Sequence, residues 1–292
     1  MRTSLLVILT VALSTFAFAQ KAPLKESVKT SIFADITAIQ PGKPFKIGVL
    51  LKIEPHWHIY WTNSGDAGIP TKVELKLPEG FTASAIEYPT PSRIEQSGGI
   101  VMYGYSGEVM LLATITPPAQ IASSKIKITT PTSWLVCDEN SCLPGQALGL
   151  NLELPIAESA KPANSELFNH WNKQLPCGIS SSEIADHKEE IAYQTKANHT
   201  TGVWTSTIQW KGDAPAQVEW FPPASEAVLF NNKFTVQTTG RTTVITAGFD
   251  LPPTPANAAP APDSVLSYRT PAGRVGVTLP IVLSGNPNSK PL

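Results

Sequence analysis

The sequence has 292 residues, with 22 basic and 23 acidic side chains and a formal net charge of −1 at pH 7. This balance excludes the strongly basic surfaces that bind nucleic acid or anionic membranes. The 27 prolines and 19 glycines, with abundant threonine and valine, are typical of an all-β protein with many turns. At about 100–200 residues per domain, the length predicts two domains.

The first 19 residues have the pattern of a signal peptide. Arg2 precedes an apolar run at residues 5–13 and the small-x-small sequence Ala-Phe-Ala at residues 17–19, which signal peptidase cleaves. We therefore expect export to an oxidising compartment, where disulfides form and persist. No cysteine directly follows the cleavage point and no later stretch has 18 consecutive apolar residues, so neither a lipid anchor nor a transmembrane helix is predicted.

Alternating apolar and polar residues predict an antiparallel β-sandwich at residues 20–157. A turn is predicted at residues 40–43, where the sequence is Gln-Pro-Gly-Lys. The predicted strands of this domain are residues 27–37, 45–54, 71–77, 108–115, 125–130, 133–137 and 147–154.

A linker is predicted at residues 158–187. It contains a short helix at 164–174, in which Leu167, Phe168 and Trp171 fall at helical spacing. A second β-sandwich is predicted at residues 188–284, followed by a frayed tail at 285–292. Its predicted strands are residues 202–210, 216–220, 233–237, 242–249, 265–268 and 274–282.

Two of the three cysteines, Cys137 and Cys142, lie between a β-prone run and a predicted Pro-Gly turn, and can form a disulfide within one hairpin. Closing so short a loop stabilises a fold by only about 2 kcal/mol, whereas an exposed bridge at a strand end is suited to thiol–disulfide exchange. Asp138 and Glu139 oppose thiolate formation, which favours a disulfide that a partner's thiolate attacks. A purely structural bridge and metal ligation are the alternatives.

Residues 55–61 are the densest aromatic patch. If this patch is extended, His56, His58 and Tyr60 share one face and the tryptophans share the other. The patch is then either an ordinary half-buried strand or part of a metal site. Two histidines are fewer ligands than a metal site needs, and copper would require Met102, Met110 or the cysteine thiols in addition.

A glycine-rich aromatic segment follows at residues 97–107. Its glycines do not fit a phosphate-binding pattern, so nucleotide binding is not expected. The segment is either a mobile loop that lies over another site or an ordinary hairpin connection.

The third cysteine, Cys177, follows Pro176 in the predicted linker. As the odd cysteine of an exported protein, it is expected to be a free thiol or an intermolecular link. We assign it no catalytic role.

Five short motifs occur in the first half of the chain: HWHIYWTNSGDAG at 56–68, LPEG at 77–80, YGY at 103–105, WLVC at 134–137 and CLPG at 142–145. On these motifs, residues 28–155 resemble the N-terminal periplasmic domain of the thiol:disulfide interchange protein DsbD, in the variety also found in ScsB. The second half is similar to an additional β domain that some of these relatives carry.

The resemblance implies an immunoglobulin-like sandwich whose cysteine pair takes electrons from a thioredoxin-like domain and passes them to oxidised periplasmic proteins. Cys137 and Cys142 match this redox pair. Met102 and Tyr103 match the cap loop that shields the pair, and Tyr60 matches an aromatic residue near the active site. The chain contains neither a multi-helix membrane domain nor a thioredoxin-like Cys-x-x-Cys domain, so we expect it to depend on a separate reductant.

The sequence thus predicts an all-β protein with two immunoglobulin-like domains joined by a short helical linker, located in the periplasm of a Gram-negative bacterium. Its predicted activity is thiol–disulfide exchange of the protein-disulfide reductase kind, between a thioredoxin-like donor and oxidised exported proteins, without a cofactor. One alternative is a non-catalytic binding or assembly module with a structural disulfide. The other is a copper-binding or copper-tolerance protein that uses His56, His58, Met102 and the thiols.

Overall fold

The computed structural model describes residues 27–179, 191–251 and 262–283. The predictions of a signal peptide at 1–19 and of a tail at 285–292 fall outside these ranges, as does the end of the predicted linker. Within them, no helix is both long enough and apolar enough to cross a membrane.

The first half of the chain folds into two antiparallel sheets and a two-stranded ribbon. One sheet has the strand order β1-β2-β8-β5, the second has the order β11-β10-β3-β7-β6 with β4 paired to β10, and β12 pairs with β9. The strands are β1 (Val28–Ala34), β2 (Phe45–Ile53), β3 (His58–Gly65), β4 (Lys72–Val73), β5 (Thr82–Ala83), β6 (Ser92–Gln96), β7 (Ile100–Ser106), β8 (Glu108–Thr116), β9 (Lys125–Thr129), β10 (Thr132–Cys137), β11 (Cys142–Ala147) and β12 (Asn151–Pro155).

The core of this half lies between the two large sheets. Leu51 and Val109 from the first sheet and Ile59 from the second are fully buried there. Successive side chains of a strand point to opposite faces, so the alternate residues of β3 and β10, such as Tyr60 and Cys137, face away from this core. Each fully buried aliphatic side chain stabilises the sandwich by about 1.5–3 kcal/mol.

The single helix of the described residues, α1 (Ser165–Asn172), packs against the first sandwich. It buries Phe168 and Trp171 in the same core cluster as Ile59. Just before it, the Asn164 side chain donates a hydrogen bond to the backbone oxygen of Ala34, 2.8 Å away. The helical spacing of the apolar residues thus indicated the face of α1 that packs against the first sandwich.

The second half forms two further four-stranded sheets that enclose a separate core. Trp204, Trp220 and Tyr268 fill this core and are almost completely buried. The strand orders are β13-β20-β19-β16 and β14-β15-β18-β17. The strands are β13 (Cys177–Gly178), β14 (Ile191–Asn198), β15 (Val203–Trp210), β16 (Ala216–Phe221), β17 (Leu229–Thr239), β18 (Thr242–Asp250), β19 (Ser264–Thr270) and β20 (Gly273–Leu279).

The all-β prediction, with immunoglobulin-like sandwiches, is confirmed. Of the glycine-rich segment at 97–107, only the tip at residues 97–99 is a hairpin connection, between β6 and β7. Residues 100–106 form strand β7 itself, which was not predicted. The predicted Pro-Gly turn was wrong, since Pro144 and Gly145 lie inside β11. Proline is tolerated there because β11 is an edge strand, and Gly145 leaves room for the indole of Trp134.

Gly104 on β7 offers a test of how closely β3 and β7 approach. A Cβ atom at this position would lie 2.0 Å from the backbone oxygen of Ile59. Because that neighbour is backbone, we expect Gly104→Ala to lower the free energy of unfolding by about 1–3 kcal/mol or more, as measured by urea denaturation. Gly149→Ala, where a Cβ would have open space, is the control, and equal losses in both variants would contradict the close approach.

Candidate redox site

Cys137 and Cys142 form a disulfide that links the last residue of β10 to the first residue of β11. They are directly opposite each other in the antiparallel ladder. The bridge therefore closes a hairpin at the edge of the six-stranded sheet, on a turn of four residues, 138–141.

Asp138 fixes this turn. Its Oδ1 accepts hydrogen bonds from the backbone N–H groups of Asn140 at 2.8 Å and Ser141 at 2.7 Å, and from the Ser141 hydroxyl at 3.1 Å. These hydrogen bonds lower the pKa of the Asp138 carboxyl, and the one from the Asn140 N–H has the largest effect. The side chain therefore remains ionised in its role as the acceptor that shapes the turn.

The two cysteines differ sharply in exposure. Cys137 has an exposed fraction of 0%, whereas Cys142 is an exposed residue. The bridge therefore joins one buried and one exposed cysteine.

Cys137 belongs to a small cluster on the outer face of the six-stranded sheet, away from the main core. Tyr60 from β3 and Met102 from β7 are its buried companions, and Ile94 and Leu135 pack against them. We call these five residues the Cys137 cluster. Side-chain alternation explains it, because Ile59 and Tyr103, the neighbours of Tyr60 and Met102 in sequence, face the main core.

Polar contacts connect the members of this cluster to a buried histidine. His58 lies directly opposite Cys137 in the β3–β10 ladder, and its Nε2 is hydrogen-bonded to the Tyr60 hydroxyl at 3.2 Å. The Tyr60 hydroxyl also lies 3.6 Å from the Met102 sulfur, to which it donates. Burial raises the pKa of Tyr60, so the phenol stays protonated and available as a donor.

A loop at residues 66–70 covers the Tyr60 ring. Gly68 has a φ of +108°, and a Cβ there would lie 2.2 Å from the ring. Asp66 ties the loop to β7, because its Oδ2 accepts a hydrogen bond from the Val101 N–H at 2.8 Å. Glycine at position 68 thus allows the loop backbone to lie directly on the aromatic ring.

The two residues that the resemblance matched to a cap loop, Met102 and Tyr103, do not lie in a loop. Met102 and Tyr103 lie on strand β7 and their side chains face opposite ways. Met102 packs beside Cys137, while the Tyr103 ring packs against Phe221 of the second half at a centroid distance of 5.3 Å. Among the described loops, the one at 66–70 covers the cluster.

The two candidate metal ligands are separated by the start of a strand. His56 lies in an exposed turn with a φ of +71°, whereas His58 is buried on β3. The extended arrangement that would align both histidines therefore begins only at His58. Within the described ranges, no three His, Cys, Asp or Glu side chains are grouped to hold a metal ion.

Cys177 lies far along the chain, on β13, and forms no disulfide in the described part of the structure. It is half-buried, and its sulfur is 3.6 Å from the backbone oxygen of Gly276, to which it donates.

Comparison with known proteins identifies the first domain. A family model for the N-terminal domain of the thiol:disulfide interchange protein DsbD matches residues 27–153. The first domain is a DsbD N-terminal domain. As such, it is a thiol–disulfide exchange module with a disulfide-forming cysteine pair. In this structure Cys137 and Cys142 form a disulfide.

The crystal structure of the N-terminal periplasmic domain of ScsB from Proteus mirabilis is similar to both halves together. It aligns with a TM-score of 0.59 over 87% of this chain and 92% of that chain, at 15% sequence identity. At this identity the match shows a common fold for the two-sandwich arrangement.

Two other structures align less well. Domains D2 and D3 of the major pilin SpaD from Corynebacterium diphtheriae give a TM-score of 0.26 at 12% identity, over 85% of this chain and 88% of that chain. The Actinomyces fimbrial adhesin FimA gives 0.23 at 9% identity, over 87% and 97%. These scores support no conclusion. No curated protein matches the sequence significantly.

The shared face of His58 and Tyr60 was predicted from their spacing of two residues, and the structure adds the hydrogen bond between them. Sequence reasoning missed the loop at 66–70, which begins within the motif at 56–68. Gly68 gave no signal for this loop, since its contact with Tyr60 depends on the loop's path.

The burial of His58 predicts a pH-dependent stability. Burial lowers the pKa of His58 below 6.5, although the negative charge of Asp138 partly opposes this. The unfolded chain therefore takes up a proton near pH 6.5 that the folded domain does not, and the free energy of unfolding falls as the pH drops from there to the folded pKa. The slope due to His58 is at most about 1.4 kcal/mol per pH unit.

Urea denaturation of the oxidised protein between pH 7.5 and pH 5, values chosen to bracket the reference pKa of histidine at about 6.5, measures this slope. We expect His58→Asn to make it shallower. His56→Asn, in the exposed turn two residues earlier, is the matched control. Identical slopes for His58→Asn and the unmodified protein would contradict the prediction.

Proposed function

We propose that this protein carries electrons between a thioredoxin-like donor and oxidised exported proteins through Cys137 and Cys142. The observation that carries the proposal is the asymmetry of the bridge, in which Cys137 is buried against Tyr60 and Met102 while Cys142 is exposed. Membership of the DsbD N-terminal family supports thioredoxin-like proteins as the kind of partner. The predicted signal peptide supports a periplasmic location.

The reaction begins at the accessible sulfur. The donor's thiolate attacks Cys142 Sγ, the bond between Cys142 and Cys137 breaks, and Cys137 leaves as a thiolate that takes up a proton. The donor's second thiol then attacks its own sulfur in the mixed disulfide. The donor leaves as a disulfide, Cys142 leaves as a thiolate, and two electrons have moved to the cysteine pair.

The reduced pair acts in the opposite direction on an oxidised substrate. Cys142, being exposed, attacks the substrate disulfide and forms a mixed disulfide, which Cys137 resolves by attacking Cys142 Sγ. The short hairpin keeps the two sulfurs together throughout, so resolution is intramolecular. Tyr60 and Met102 keep other thiols away from the Cys137 side of the bridge.

Single-cysteine variants test which sulfur is attacked. In a Cys177→Ser background, Cys137→Ser leaves only the exposed cysteine and Cys142→Ser leaves only the buried one. We expect the Cys142 thiol to react with 5,5′-dithiobis(2-nitrobenzoic acid) roughly tenfold faster or more, because access controls exchange rates. Both variants should lose catalytic exchange. Equal reactivity, or a faster reaction of Cys137, would exclude Cys142 as the point of attack.

The reduction potential of the pair tests the function itself. In a Cys177→Ser background equilibrated with glutathione or dithiothreitol buffers, we expect a value of roughly −120 to −270 mV, the range of exchange proteins. A value below about −300 mV would instead indicate a structural disulfide, and the protein would then be a binding module with a stabilised hairpin.

A further inference from the structure

The second β-sandwich meets the first directly behind the Cys137 cluster. The contact is made at the end of β16, where neighbouring residues point in opposite directions. Trp220 packs into the core of the second sandwich, whereas Phe221 has an exposed fraction of 0% and belongs to the core cluster of the first. Phe221 is therefore a residue of the second half that is buried in the first.

Phe221 contacts the two strands that carry the cover of Cys137. Its ring lies edge-to-face on Trp61 of β3 at a centroid distance of 6.3 Å and on Tyr103 of β7 at 5.3 Å. Trp61 directly follows Tyr60, and Tyr103 directly follows Met102. Because side chains alternate along a strand, Phe221 supports β3 and β7 from the face opposite Cys137.

The backbone ladder alone does not hold these strands in a regular register at this point. Tyr60 pairs with Gly104, but the next paired residue of β3 is Gly65, opposite Met102. Five residues along β3 thus correspond to two along β7, and the irregularity begins directly after Tyr60. Side-chain contacts therefore help to set how Tyr60 and Met102 lie relative to each other. On one face this is their own hydrogen bond, and on the other it is the packing of Phe221 against Trp61 and Tyr103.

Phe221 is itself held firmly. The guanidinium of Arg274 on β20 lies 5.7 Å from the centre of its ring, donates to the backbone oxygen of Pro91 at 2.6 Å and pairs with Glu219 at 3.3 Å. On the other side, the Asn63 side chain donates to the backbone oxygen of Pro222 at 3.0 Å. These bonds join the end of β16 to both sandwiches.

We propose that Phe221 is a positioning residue of the redox site, and that the second β-sandwich serves to hold Tyr60 and Met102 against Cys137. This inference rests on the assignment of Cys137 and Cys142 as the reactive pair. Without the Phe221 ring, Trp61 and Tyr103 lose a shared partner, β3 and β7 gain freedom at the irregular register, and the cover of Cys137 loosens. The second sandwich thereby keeps thiols from the Cys137 sulfur and leaves Cys142 as the point of attack; loosening the cover opens a second point of attack.

The test is the rate at which dithiothreitol reduces the disulfide under native conditions, in a Cys177→Ser background. We expect Phe221→Ala to raise this rate roughly three- to tenfold, because access controls exchange. Phe221→Leu, which retains an apolar side chain at the contact, should restore a rate close to that of the parent protein.

Phe249→Ala is the matched control, since Phe249 is buried in the second sandwich and does not belong to the core of the first. It should lower the melting temperature without raising the reduction rate. An unchanged rate in Phe221→Ala, or an equal rise in Phe249→Ala, would overturn the proposal. If Phe221→Ala fails to fold, Arg274→Ala is the second variant, because it removes the guanidinium that packs on the same ring. An unchanged rate of reduction by dithiothreitol in Arg274→Ala would then overturn the proposal.

These outcomes are separate from those that decide the proposed function. The dithiothreitol rate needs no protein partner and reports only the cover of the bridge. If the parent protein's reduction potential marks a structural disulfide while Phe221→Ala still raises the rate, then the electron-carrier function fails and the positioning role stands.

Discussion

The alternation of side chains along β3, β7 and β10 is the constraint on which the site depends. One set of residues, including Ile59, Tyr103 and Val136, forms the main core. The residues between them face outward and form the Cys137 cluster with its histidine. Because the period is two, a shift of one residue in any of these strands would exchange the two faces. The large aromatic core therefore fixes the geometry of the small reactive cluster behind it.

Burying one cysteine of a reactive pair has a chemical consequence for both redox states. A thiolate in apolar surroundings is poorly solvated, so the environment of Cys137, between Tyr60 and Met102, favours either the protonated thiol or the disulfide. Cys142 is exposed and does not share this restriction. His58 and Asp138 add a titratable and a charged group beside the buried cysteine. The two sulfurs of one bridge thus lie in different surroundings, one exposed and one buried.

Much of the fold could be predicted from the sequence, because periodic patterns of apolar residues depend only on neighbours along the chain. Many strands of both sandwiches, the docking face of α1 and the cysteine hairpin followed from alternation, helical spacing and chain proximity, whereas β6, β7 and β14 were not predicted. The edge strand β11 was missed because Pro144 and Gly145 are ordinarily turn residues. The loop at 66–70 and the contact of Phe221 with Trp61 were out of reach, since each joins residues that only the folded chain brings together. Tyr103 was placed with the redox pair from resemblance, whereas the side-chain alternation of β7 directs it to the second half.

The proline in β11 also affects how other chains approach this site. An exposed edge strand normally offers a row of N–H and C=O groups to which a foreign strand can pair. Pro144 has no N–H, so the row is interrupted two residues after Cys142. A continuous intermolecular sheet is disfavoured where the disulfide is most accessible. The interruption also disfavours pairing of this edge with the same strand of a second copy of the chain, the step by which exposed edges aggregate.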